Sequence, residues 1–234
     1  MTVTYELRDR VAIITIDDGK ANIVTHDIAA ALSHSLNKAE SEASTVVLAG
    51  RPGRFSAGFD LSVMTSGTEA ARGLLKAGAD VALQIHGLRI PVVIASTGHA
   101  LAMGAILLLA ADIRVGAEGN YKIGLNEVAI GMPVPRFAIA LARATLATTS
   151  LNAAINLATI YNPTGAVSAG YYDEVVAEDA VLDTAIAHAT DFAERLRAEP
   201  FALTRQYLRG AQLKAMYADL QIDLTTFTVD LPTD

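Results

Sequence analysis

The sequence predicts an α/β fold with a largely parallel sheet, followed by a helical C-terminal region. Short β-branched runs alternate with amphipathic helical stretches over residues 1–175, and only helical periodicity follows over 176–234. Hydrophobic residues make up 52% of the 234, enough to bury a sizeable core in one enzyme-sized unit.

Val11–Ile16 and Thr45–Ala49 are β-branched runs bounded by Asp, Gly and Arg, the pattern of strands buried on both faces. Residues 25–39 between them predict a helix, with Ile28, Leu32 and Leu36 on one face and Thr25 as N-cap. The alternation continues with helix over 68–86, strand over 91–95, helix over 103–111 and strand over 113–115. Strands alternating with helices imply βαβ units and parallel pairing. Residues 179–197 and 201–217 predict two helices separated by Pro200. No linker, repeat or low-complexity tract interrupts the series.

Composition excludes several function classes. With 18 Lys and Arg against 25 Asp and Glu, the formal charge is −7, so nucleic acid is not an expected partner. No cysteine occurs, which removes disulfides, thiolate catalysis and thiolate metal sites, and no metal is expected. The N-terminal ten residues alternate polar and apolar side chains and read as a strand, not a signal peptide, so cytoplasmic residence is expected. The nearly uncharged stretch 90–111 is broken by Pro91, Gly98, His99 and Gly104, so membrane insertion is not expected.

Three segments can carry chemistry. In Phe55-Ser56-Ala57-Gly58-Phe59-Asp60-Leu61, a strand runs into a small-residue turn where backbone N–H groups can approach a ligand. Alone, that is equally a tight surface turn. In Gly98 through Ile106, a helix beginning near Met103 offers free N–H groups and its positive dipole end to an anion. The same stretch also reads as a buried helix packed through small residues, and His99 reads as a satisfied loop or core histidine. In Ile123-Gly124-Leu125-Asn126-Glu127, a lone carboxylate sits among aliphatics. Desolvation there raises its pKa toward the range useful for moving protons, although an isolated Glu between Asn and Val also fits a solvated helix position.

Together these segments resemble the crotonase family, also called the enoyl-CoA hydratase/isomerase family. The resemblance spans residues 5 to about 210 and is specific in two segments, looser elsewhere. It implies a crotonase-like spiral of ββα units whose C-terminal helices assemble a homotrimer or hexamer. It implies acyl-CoA thioester substrates, with no cofactor beyond the coenzyme A carried by the substrate. By resemblance to the family's Ala-Gly-x-Asp-Leu motif, the N–H of Phe59 is one oxyanion donor, with Ala57, Gly58 and Asp60 lining the substrate site and Asp60 chiefly structural. The second donor falls on the N–H of Met103, whose side chain must point away from the thioester. Lys20-Ala21-Asn22-Ile23 resembles the segment lining the adenine and pantetheine groove, where Lys20 meets a phosphate or is simply a solvated turn lysine.

Ile106 stands where hydratases carry their first glutamate. Ile-Gly-Leu-Asn-Glu, followed by Gly131 and a proline, is similar to the Δ3,Δ2-enoyl-CoA isomerase branch, which also has an aliphatic residue there. The resemblance therefore implies Glu127 as the acid/base of a Δ3-to-Δ2 enoyl-CoA isomerase. A 2-enoyl-CoA hydratase of fatty-acid β-oxidation is the alternative, and a weakly catalytic acyl-CoA-binding protein a third.

Overall fold

The computed structural model describes residues 2–228, so residue 1 and the last six residues of the expected 176–234 region lie outside it. Its elements are β1 (Val3–Arg8), β2 (Val11–Ile16), β3 (Ile23–Val24), α1 (His26–Glu42), β4 (Thr45–Ala49), β5 (Gly53–Ser56), β6 (Gly58–Phe59), α2 (Leu61–Met64) and α3 (Thr68–Gly87). There follow β7 (Val92–Ser96), β8 (Gly98–Leu101), α4 (Met103–Ala110), β9 (Ile113–Ala117), β10 (Ile123–Gly124), α5 (Arg136–Thr145), α6 (Leu151–Ile155) and α7 (Pro163–Ala169). The chain ends with β11 (Glu174–Val176), α8 (Val181–Arg195) and α9 (Ala198–Thr226).

A six-stranded sheet has the order β1-β2-β4-β7-β9-β11, and a three-stranded one the order β10-β8-β5. Among the described strands of these two sheets, only β1 and β2 pair antiparallel. Each of β4, β7 and β9 is followed by a strand of the small sheet and then by a helix, so both sheets advance in the same order as the chain winds. This is a spiral of ββα turns. The pleat of the large sheet sends alternate residues to opposite sides. Ile14, Leu48 and Ile94 enter a core with α1, α3 and α4, while Ile13, Val47 and Val93 enter a second core.

That second core is closed by α8, through Val181, Ala185 and Ala189 at four-residue spacing. The expected division at 175/176 falls inside β11, and α8 covers a face of the sheet. Helix α1 starts at its expected cap, the Thr25 hydroxyl accepting from the Ile28 N–H at 3.2 Å. Pro200 does not separate two helices as the sequence suggested. It lies in the first turn of α9, where a missing N–H costs nothing, and the break is at Leu196 and Arg197. Helices α5, α6 and α7 were not anticipated.

Helix α9 is fastened to the body at both ends. Arg205 donates to Asp112 at 2.5 Å and to the Leu88 carbonyl at 2.9 Å, and Arg209 pairs with Asp112 at 2.9 Å. Near its C-terminus, Arg136 bonds Asp223 at 2.9 Å. Two aromatic side chains of α8 and α9 are used internally. Phe192 packs on the second core and Phe201 lies beneath the Arg205 guanidinium. Leu203, Tyr207 and Leu208 remain 47%, 77% and 75% exposed.

Candidate functional site

Strand β10 pairs with β8, which places Leu125, Asn126 and Glu127 beside the turn that opens α4. Ala102 N–H donates to the Gly124 carbonyl at 3.1 Å, tying the two segments together. Glu127 begins a single 3-10 turn over Val128–Ile130, its carbonyl accepting from Ile130 at 3.0 Å and Met132 at 2.9 Å. Gly131 closes the turn with φ of +83°, a left-handed conformation that glycine adopts at little cost.

The Glu127 side chain is 8% exposed and lines a predominantly apolar cleft. Ala57, Phe59, Ala102 and Ile106 form one part of that lining, and Glu127 is its only acidic group among the described residues. Burial pushes the carboxyl from 4.5 up to about 7, because desolvation disfavours the charged form. Its Oε2 is enclosed, with no hydrogen-bond partner among the described residues. The Oδ1 of Asn126, another lining residue, is enclosed and unpartnered in the same way.

The two small-residue turns meet at this cleft. Gly58 has φ of +96°, and a Cβ built on it would lie 2.8 Å from the Ala102 Cβ and 3.4 Å from the Met103 nitrogen. Only a residue without a side chain lets the turns come so close. Ser56 locks the first turn, donating to the Asn22 carbonyl at 2.7 Å and accepting from the Gly58 N–H at 3.2 Å. Asn22, fully buried, donates to the carbonyls of Ile16, Arg54 and Phe55. In the second turn, Ala102 holds φ +47° and ψ −119° immediately before α4, a sparsely populated conformation for a residue with a Cβ. Met103 is the first residue of α4, so its N–H has no acceptor within the helix. Its side chain is fully buried, with Sδ packed toward Gly78 beside the Phe59 ring.

Of the residues singled out from the sequence, Glu127, Phe59, Ala57 and Ile106 line this cleft. Gly58 and Met103 support it from the adjoining backbone. Asp60 caps α2, accepting from the Ser62 N–H at 2.9 Å and the Ser62 hydroxyl at 2.6 Å. Lys20 lies in an exposed turn whose backbone N–H donates to Asp18. Ala21 accepts from the Ala57 N–H at 3.0 Å, and Ile23 pairs with Gly58, so that segment braces the first turn. Gly131 lines a neighbouring cleft instead. His99 is half-buried, its Nδ1 accepting from the Lys122 N–H. Met64, Met132 and Phe227 also line the Glu127 cleft, and no motif or pattern singled them out.

The family model for enoyl-CoA hydratase/isomerase matches residues 6–232. Human mitochondrial enoyl-CoA delta isomerase 1 is 27% identical over 229 residues, covering 96% of this chain and 76% of that protein. A probable enoyl-CoA hydratase of Bacillus subtilis (strain 168) is 34% identical over 132 residues, covering 55% of this chain and 50% of that protein. The crystal structure of an enoyl-CoA hydratase/isomerase family protein from Pseudomonas syringae superposes with a TM-score of 0.93 at 36% identity, covering 96% of this chain and 97% of that one.

Proposed function

Because the chain belongs to the enoyl-CoA hydratase/isomerase family, we propose that it moves the double bond of a 3-enoyl-CoA from C3 to C2, with Glu127 as the sole acid/base. The observation that carries this reading is a cleft in which Glu127 is the one acid among the described residues and Ile106 lies on the same lining; by the family resemblance, Ile106 stands where hydratases carry their first glutamate. The Glu127 carboxylate removes a C2 proton, the electron pair of that C–H bond delocalises into a dienolate, and the thioester oxygen takes the charge. The backbone N–H groups of Phe59 and Met103 hold that oxygen, each such donor typically contributing about 2.7–4 kcal/mol to the transition state. Glu127 then returns the proton at C4, leaving the 2-enoyl product. A carboxyl near pH 7 suits both halves of this cycle.

Hydration asks for more, because a water must be held and activated at C3 while a proton is delivered at C2. The hydratase reading is favoured by one observation: the enclosed, unpartnered Oδ1 of Asn126 on the same cleft, a polar group available to hold water. The two are separated by supplying a 3-enoyl-CoA and a 2-enoyl-CoA to the purified protein and comparing turnover. The enzyme is of one type or the other, as its relatives' names are. The proposal includes fatty acyl-CoA substrates, a homotrimer or hexamer, cytoplasmic residence and no added cofactor. No helix among the described residues is long and apolar enough to cross a membrane.

A further inference from the structure

Phe227 follows the last turn of α9, far in sequence from the motifs of the cleft, yet its ring is 7% exposed and lines the Glu127 cleft. A second cleft, open to solvent, shares this ring and is also lined by Gly131, Val134, Arg136 and Thr228. Phe227, Pro133 and Pro135 line both. They form the partition between a catalytic cleft and an adjoining empty space.

The backbone of that partition is pinned. The Arg72 guanidinium donates to the Phe227 carbonyl at 2.9 Å and to the Thr225 carbonyl at 2.8 Å. The Phe227 N–H donates to the Asp223 carbonyl at 2.8 Å, and the Asp223 carboxylate is held by Arg136 at 2.9 Å. Opposite, two prolines fix their own backbone torsions. What separates the clefts is thus one aromatic ring on a pinned backbone, together with Pro133 and Pro135. Met64, Leu75 and Ile130 share the Glu127 cleft with this ring, so an apolar ligand bound there abuts it, and passage toward the second cleft runs past it.

We propose that Phe227 sets the acyl-chain length accepted by the Glu127 cleft, by blocking passage into the adjoining cleft. This rests on the acyl-CoA reading above. Chains that fit in front of the ring bind with each methylene buried, and longer chains must leave the excess in water or displace the ring. The favoured substrates are short to medium in length, and long-chain substrates are discriminated against at Phe227.

The test is calorimetric binding of saturated acyl-CoAs from butanoyl- to hexadecanoyl-CoA, which needs no turnover. Each additional buried methylene strengthens binding about fourfold. In the native protein that gain is expected to cease at a medium length, and in Phe227→Ala to continue into the long chains. Arg72→Gln, which frees both carbonyls without altering the cleft lining, is expected to move the limit outward as well. Equal limits in native protein and Phe227→Ala overturn the proposal. If Phe227→Ala frays α9, as judged by melting temperature, Phe227→Leu takes its place, with an intermediate limit expected and an unchanged one overturning. Binding with the predicted limits but no isomerisation refutes the proposed reaction and leaves the partition standing. Binding at no chain length refutes both.

Discussion

Glu127 and Ile106 share one cleft, the carboxyl 8% exposed and the aliphatic side chain 1% exposed. Ile106 cannot transfer a proton, which leaves Glu127 as the only titratable side chain lining the cleft among the described residues. A dry site also protects an enolate-like intermediate from water. Replacing Glu127 by Gln keeps size and hydrogen-bonding capacity but ends proton transfer. Turnover is expected to fall by about 10²–10⁴ while acyl-CoA binding persists. Stopped assays and calorimetry on the same preparation check both halves, and near-native turnover would remove Glu127 from the mechanism.

The raised pKa of Glu127 has a definite consequence for stability. Below pH 4.5 both folded and unfolded chains carry the proton, so burial brings no electrostatic penalty. Between 4.5 and about 7 the unfolded chain has released a proton that the folded chain retains, and stability falls with rising pH. Above 7 the loss stays constant at about 3 kcal/mol. Glu127→Gln is therefore expected to be more stable than the native protein at pH 8 by about that amount, the advantage vanishing near pH 4. Urea denaturation at the two pH values measures it. An advantage independent of pH would contradict a titrating, buried Glu127.

Gly58→Val is expected to abolish activity. Gly58 adopts φ +96°, and a Cβ there meets the Ala102 Cβ at 2.8 Å and the Leu101 carbonyl at 3.1 Å. A β-branched side chain must push apart the turns that carry Phe59 and Met103. Met103→Leu keeps an apolar side chain of similar volume, leaves the backbone donor in place, and is expected to retain most activity at a stability cost below about 1.5 kcal/mol. Loss of activity in a stably folded Met103→Leu would show that the side chain itself matters.

The exposed trio Leu203, Tyr207 and Leu208 on α9 predicts self-association, since contiguous apolar surface marks interfaces. Light scattering is expected to return a trimer or a dimer of trimers, and Leu208→Glu to weaken it. A monomer of 24.5 kDa at micromolar concentration would contradict this.

Much of this arrangement was legible in the residues because local chemistry and tertiary structure agree there. Thr25 caps a helix with Ile28, Leu32 and Leu36 inward, and the β-branched run Thr45–Ala49 is a central strand buried on both faces. Glu127 was legible only through its resemblance to a family motif, since a Glu between Asn and Val has no local signature of burial. Helix α8 was anticipated, but not its role. The Val181, Ala185, Ala189 stripe does not reveal which surface it covers, and small alanines suit close packing on a sheet. Phe227 was illegible, because nothing near it in sequence indicates that α9 carries it back to a cleft otherwise lined by residues between 57 and 135. Pro200 misled for a simpler reason: proline breaks a helix interior but is at home in its first turn.

The proposed isomerase rests on one buried carboxylate and an aliphatic neighbour. Turnover of a 3-enoyl-CoA into its 2-trans isomer, set against hydration of the 2-enoyl-CoA by the same preparation, tests it most directly. Isomerisation is predicted to be the faster reaction, and to be lost in Glu127→Gln. Faster hydration would contradict an isomerase and point to Asn126 or another polar group as the holder of the attacking water.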